Sequence, residues 1–77
     1  MATRAMTTTF AVPEIHCEHC REAIEGALAP QQGVAGVEVD LGSKRVTVAH
    51  AEGTDIDRLT AAIEEQGYEV AKTESGP

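Results

Sequence analysis

Hydrophobic residues recur along the first half of the chain with two different spacings, which predict a strand followed by a helix. Residues 7–12 are rich in β-branched side chains and end at Pro13, which is typical of a strand. From residue 18 to residue 29, apolar side chains recur every three or four positions, which predicts an amphipathic helix. Pro30 then ends this helix.

The second half of the chain predicts two more strands, a second helix and a last strand. Apolar and polar residues alternate over residues 37–41 and 46–48, which indicates a hairpin. A second amphipathic segment follows, with Thr54 as its expected N-cap and Gly67 as the expected glycine after its C-terminus. Residues 68–71 are the predicted last strand.

The order β-α-β-β-α-β predicts an α+β domain of the ferredoxin-like class. In that arrangement a four-stranded antiparallel sheet carries both helices on one face. The 77 residues leave no room for a second domain. We therefore assign residues 7–72 to one domain, residues 1–6 to a flexible N-terminus and residues 73–77 to a flexible polar tail.

Three local expectations concern polar side chains. Arg21 is expected to pair with Glu25, one helical turn further on. Asp57, three residues after Thr54, resembles the second residue of a capping box. His50 lies at the far end of the third predicted strand and is expected on plain surface.

The charge balance excludes several classes of partner. The chain has 6 basic and 13 acidic residues, for a net charge of -7, so phosphate backbones and anionic membranes repel it. We expect no nucleic-acid partner and no direct membrane insertion, since no apolar stretch approaches the roughly 20 residues of a span. The N-terminus lacks the apolar core of a secretory signal, so we expect a cytoplasmic protein.

Two cysteines, Cys17 and Cys20, carry the candidate chemistry. A reducing compartment disfavours a structural disulfide between them. Cys17 ends a loop and Cys20 falls in the first turn of the predicted helix, so both thiols are expected near a helix N-terminus that favours thiolate. Soft thiolates select Cu(I), with Zn²⁺ as the main competitor. Two thiolates suit linear Cu(I), whereas structural zinc takes four ligands.

With the residues 17–20, Cys-Glu-His-Cys, the sequence resembles the heavy-metal-associated domain family, and within it the small bacterial copper chaperones. The order of elements and the residues 67–70, Gly-Tyr-Glu-Val, also match. The resemblance implies that Cys17 and Cys20 bind Cu(I). It also implies that the chain passes Cu(I) to a copper-transporting P-type ATPase by exchange of thiolate ligands.

Other residues near the motif either match the family or depart from it. His19 and Tyr68 match a histidine and a tyrosine that are common near the metal in bacterial chaperones. Glu14 and Ile15 stand where the family usually has Gly-Met, and Ile15 is expected to support the loop from the core. His16 replaces a small hydroxyl residue. His16, His19 and Tyr68 are therefore the candidate auxiliary residues of the site.

Other functions fit the same motif. A binding module for zinc, mercury or cadmium shares the fold and differs only in the ion. A thiol-disulfide oxidoreductase would also use a C-x-x-C pair, but no Trp precedes the motif and the chain is short for a thioredoxin-like domain. We therefore expect that the protein is not an enzyme. A second expected partner is another copy of the chain, in a homodimer bridged by copper.

Overall fold

The computed structural model describes residues 5–76 and contains six elements in the expected order. They are β1 (Ala5–Ala11), α1 (Glu18–Leu28), β2 (Val34–Asp40), β3 (Arg45–Ala51), α2 (Ile56–Glu65) and β4 (Lys72–Gly76). The strands form one sheet in the order β2-β3-β1-β4, and all neighbouring strands are antiparallel. This arrangement confirms the ferredoxin-like fold.

The core lies between the sheet and the two helices, because each element contributes one apolar face. The strands present alternate residues to it and each helix presents a stripe. The buried apolar residues are Phe10, Val12, Ile15, Cys20, Ile24, Leu28, Val39, Val46, Val48, Leu59, Ala62 and Ile63. Ile15 is fully buried, as expected from its place in the loop after β1.

The registers of β1 bring three loops to one end of the sheet. Ala11, the last residue of β1, lies opposite Arg45 at the start of β3 and Lys72 at the start of β4. The loop after β1, the β2–β3 turn and the segment between α2 and β4 therefore meet at this end. The candidate site is built from these three connections.

The last strand is not where the sequence predicts it. Residues 68–71 are not a strand, and β4 instead covers Lys72–Gly76, which pair with β1. The strand prediction at residues 68–71 is therefore wrong, and all of β4 except Lys72 lies in the segment expected to be a tail. The predicted boundaries at residues 7 and 72 fall inside β1 and at the first residue of β4. Residues 1–4 of the expected N-terminal segment lie outside the described residues.

The second helix begins one residue later than expected. Asp55, not Thr54, is its N-cap, and the Asp55 side chain accepts a hydrogen bond from the N–H of Asp57. The Thr54 hydroxyl instead donates to the carbonyl of Ala51, 2.7 Å away, and so secures the turn before the helix. Gly67 follows the helix with a φ of 92°, which confirms the predicted C-terminal glycine.

Two other polar expectations are corrected. Arg21 forms its ion pair with Glu18, one turn before it, and not with Glu25. His50 is only 4% exposed, so its assignment to plain surface is wrong. It shares the face of β3 that buries Val46 and Val48, because side chains two apart in a strand point the same way.

Candidate metal site

The loop between β1 and α1 is held by two buried side chains and by hydrogen bonds to the β2–β3 turn. Val12 and Ile15 are fully buried, and the N–H of Ile15 donates to the carbonyl of Val12 over 3.2 Å. The N–H of Val12 donates to the carbonyl of Lys44, and the Lys44 ammonium donates to the carbonyl of Ile15 over 3.3 Å. The β2–β3 turn thus supports the backbone that leads into the motif.

Cys17 and Cys20 come together where helix α1 begins. Cys17 is the N-cap residue and has extended backbone angles, while Cys20 lies in the first turn and is 6% exposed. Their sulfurs are 3.3 Å apart, and both cysteines are free. A disulfide would need about 2.05 Å, so this is a pair of reduced thiols in contact. The expected convergence of the two thiols is therefore present.

The two thiols have different supports. Cys20 is buried on the core side of α1, whereas Cys17 is half-buried at the junction of loop and helix. The usual zinc–sulfur bond is about 2.3 Å long. Two bonds of that length in a straight line would place the two sulfurs about 4.6 Å apart. Linear binding therefore requires the sulfurs to separate, and Cys17 is the residue with room to move.

The environment of Cys20 favours its thiolate. A hydrogen bond from the Tyr68 hydroxyl is the largest cause, followed by the backbone N–H of His16 and the thiol of Cys17. Together they lower the pKa of Cys20 from 9.0 to about 7, against the opposing effect of burial. The contact with Cys20 is also the largest cause that raises the pKa of Tyr68. At neutral pH a substantial fraction of Cys20 is therefore thiolate, the form of cysteine that binds soft metals.

Tyr68 covers the site from the segment after α2. The residue is half-buried and packs against the core that includes Cys20, and its hydroxyl is the largest cause of the lowered pKa of Cys20. The sequence placed Tyr68 near the metal only through the family resemblance. Gly67, the residue before it, has a φ of 92°, a left-handed conformation that allows the chain to turn after α2.

The two histidines next to the cysteines, His16 and His19, are exposed and take no part in the contact between the two sulfurs. His16 donates from Nδ1 to the carbonyl of Glu14 over 2.8 Å, because that oxygen can only accept. Within residues 5–76, no group of three or more His, Cys, Asp and Glu side chains is placed to hold a metal ion. The auxiliary roles of His16 and His19 as ligands thus stay predictions, and this arrangement of side chains does not favour them.

One contact at the site was not anticipated from the sequence. Glu14 Oε1 accepts a hydrogen bond from the N–H of Glu69 over 3.1 Å, although the residues are 55 positions apart. The sequence marks Glu14 only as an unusual residue before the motif. Its partner follows from the return of the chain after α2, which no local pattern reveals.

Comparison with known proteins identifies the family. The heavy-metal-associated domain matches residues 9–69. The chain belongs to this family. The copper chaperone CopZ of Staphylococcus haemolyticus is 43% identical over 60 residues, which cover 77% of this chain and 88% of that protein. The structure of a CopZ metallochaperone superposes with a TM-score of 0.81 at 32% identity, over 84% of this chain and 98% of the other.

Heavy-metal-associated domains also occur inside much larger proteins. Copper-transporting ATPase 1 of Rhizobium meliloti is 32% identical over 66 residues, which are 86% of this chain but 8% of the ATPase. Family membership confirms the resemblance carried by residues 17–20, and confirms that the chain is a metal-carrying domain and not an enzyme. Neither helix within residues 5–76 is long and apolar enough to cross a membrane.

Proposed function

We propose that this heavy-metal-associated domain is a cytoplasmic Cu(I) chaperone that carries its ion between Cys17 and Cys20. The observation that supports the proposal most directly is the pair of free sulfurs 3.3 Å apart at the start of α1. Two soft thiolates without a third ligand suit two-coordinate Cu(I), whereas structural zinc takes four ligands. The names of the similar copper chaperones support the same ion.

Transfer would proceed by exchange of thiolates. A cysteine thiolate of the acceptor forms a new sulfur–copper bond, and one chaperone sulfur–copper bond breaks. A second acceptor thiolate then replaces the other chaperone sulfur in the same way, so that both bonds to the chaperone are exchanged. Each released chaperone thiolate can take up a proton from water, and neither copper nor sulfur changes oxidation state. Cys17 is the sulfur that leaves first in this scheme, because Cys20 is held by the core and by Tyr68.

The acceptor we propose is the metal-binding domain of a copper-transporting P-type ATPase. Such ATPases contain domains similar to this chain, so donor and acceptor would offer matching loops. Glu18 and Glu22 are exposed on α1 beside the site, and Glu25 is half-buried on the same helix. An acidic surface and a net charge of -7 favour a basic patch on the acceptor. Such charges act mainly on encounter rate and partner choice.

A competition titration tests the metal assignment. Reduced protein is titrated with Cu(I) against a chromophoric chelator, and separately with Zn²⁺ under the same conditions. We expect tight one-to-one binding of Cu(I) and much weaker binding of Zn²⁺. Equal or tighter binding of Zn²⁺ would contradict the proposal and favour a zinc module, with His16 or His19 joining the cysteines. Sedimentation of the Cu(I) form would show whether the copper-bridged homodimer forms.

A further inference from the structure

A carboxylate that the proposed function leaves unused joins the metal loop to the segment that carries Tyr68. Glu14 Oε1 accepts the N–H of Glu69 over 3.1 Å. Both residues are exposed, so water competes for this bond and its effect on overall stability is small. Its consequence is positional, because it connects two segments that are distant in sequence on either side of the cysteine pair.

The segment between α2 and β4 is fixed at both ends by backbone hydrogen bonds. The N–H of Gly67 donates to the carbonyl of Glu64 over 2.9 Å, and the N–H of Ala71 donates to the carbonyl of Ala11 over 2.8 Å. Between these anchors, the N–H of Glu69 donates to the Glu14 side chain and not to a backbone carbonyl. The middle of the segment is therefore held by this carboxylate together with the packing of Tyr68 and Val70 against the core.

The Glu14 side chain extends from a backbone that is itself held in place. The carbonyl of Glu14 accepts the Nδ1–H of His16 over 2.8 Å, and the next residue, Ile15, is fully buried. The carboxylate is thus presented from a fixed point, and a shift of Glu69 away from it would move the adjacent Tyr68. Tyr68 in turn packs against the core that includes Cys20, and its hydroxyl favours the Cys20 thiolate.

We propose that Glu14 is a positioning residue that keeps the Tyr68 hydroxyl on Cys20 and thereby slows exchange of the bound metal ion. This inference rests on the proposed carriage of Cu(I). Cys20 is only 6% exposed and Cys17 is half-buried, so an incoming thiolate meets Cys17 first. Release of the segment would uncover the second sulfur as well and open a second route for attack.

The first test uses the metal-free, reduced full chain and three variants. Glu14→Ala removes the acceptor, Glu14→Gln keeps an amide oxygen as acceptor, and Glu65→Ala removes an exposed charge at the end of α2 as a control. Hydrogen exchange of the Glu69 amide, followed by NMR, should be faster in Glu14→Ala only. Tyr68 is the sole tyrosine and the chain has no tryptophan, so its fluorescence should change in the same variant alone.

The second test measures the rate at which Cu(I) passes from the protein to a chromophoric chelator. Glu14→Ala should transfer Cu(I) about two- to three-fold faster, which corresponds to the lower end of the range for one hydrogen bond because this bond is exposed. Tyr68→Phe should give a similar increase, and the double variant should be no faster than either single one. Glu14→Gln should remain near the wild-type rate, which separates a lost acceptor from a lost charge.

Specific outcomes would overturn the inference. An unchanged Glu69 amide and Tyr68 fluorescence in Glu14→Ala would show that the carboxylate does not hold the segment. Additive effects of Glu14→Ala and Tyr68→Phe would show that Glu14 does not act through Tyr68. A wild-type protein that fails to bind Cu(I) would instead refute the proposed function, and the metal-free experiments would still decide whether Glu14 positions Tyr68.

Discussion

Thr8 and His50 share a hydrogen bond of 2.7 Å inside the protein, between neighbouring strands β1 and β3. His50 Nδ1 lies 3.1 Å from the carbonyl of Ala51, which can only accept, so Nδ1 donates this bond. Nε2 and the Thr8 hydroxyl form the second bond of the ring. A buried polar pair of this kind costs stability when one partner is removed, because the remaining groups cannot be solvated.

We therefore expect His50→Ala to lower the free energy of unfolding by about 1–3 kcal/mol, through the lost hydrogen bonds and the cavity left behind. Chemical denaturation of the metal-free protein measures this change. Arg45→Ala, an exposed position on the same strand, is the matched control and should change stability little. Equal stability of His50→Ala and wild type would contradict the structural role of this pair.

The two cysteines lead to a prediction about affinity without loss of fold. Cys17→Ser and Cys20→Ser should each weaken Cu(I) binding by more than about a hundred-fold, since loss of a ligand exceeds the effect of an outer contact. Circular dichroism should remain that of the folded protein in both variants. His19→Ala is the comparison variant, and only a modest change is expected from it because the side chain is exposed. A loss of Cu(I) affinity as large as that of a cysteine variant would indicate that His19 is a metal ligand.

The lowered pKa of Cys20 gives a prediction about pH. The ¹³Cβ resonance of Cys20 in metal-free protein should titrate with a midpoint near pH 7, below the ordinary value of 9.0. Tyr68→Phe should move the midpoint upward, because the hydroxyl is the largest cause of the shift. A midpoint that stays in place in Tyr68→Phe would assign the shift to the other donors.

The same shift affects stability in a defined direction. The folded protein releases the Cys20 proton at lower pH than the unfolded chain, so this group stabilises the fold fully above about pH 9 and loses its effect as the pH falls through about 7. Denaturation of the metal-free, reduced protein should thus show stability rising across this window. Cys20→Ser should remove that rise, and a rise that persists in the variant would point to another group.

Two glycines provide a matched pair for backbone effects. Gly67 has a φ of 92°, and a Cβ there would meet no heavy atom within 4 Å, so Gly67→Ala tests backbone conformation alone. It should destabilise the protein by about 1–2 kcal/mol. Gly26 lies within α1 and its Cβ would also meet nothing, so Gly26→Ala should stabilise by about 0.5–1 kcal/mol. Thermal unfolding distinguishes the two signs, and destabilisation by both variants would contradict this interpretation.

The fold was predictable where a pattern is local. The alternation around Val39 and Val46 and the helical stripe that contains Ile24 lie on the buried faces that the sequence predicts. The same alternation also includes His50, so its burial could have been inferred from position despite its polarity. β4 was missed because Lys72–Gly76 lie at an edge and carry polar residues, and only the pairing with β1 makes them a strand.

The meeting of the two candidate cysteines was predictable, whereas the residues that support them were not. The spacing of Cys17 and Cys20 at a helix start is enough to bring the sulfurs together. The contact of Glu14 with Glu69 depends on the path of a segment 55 residues later, and that path depends on tertiary packing. The contact of Lys44, which supports the loop from the β2–β3 turn, could not be predicted from the sequence for the same reason.

The two edges of the sheet limit how copies of this protein can associate. On β2 the register shifts between Val34 and Gly36, and the strand exposes Glu38 and Asp40, while the opposite edge exposes Lys72 and Glu74. Irregular pairing and charged side chains protect sheet edges against aggregation through added strands. The protein can therefore reach high concentration without its sheet being extended edge to edge by further copies of the chain.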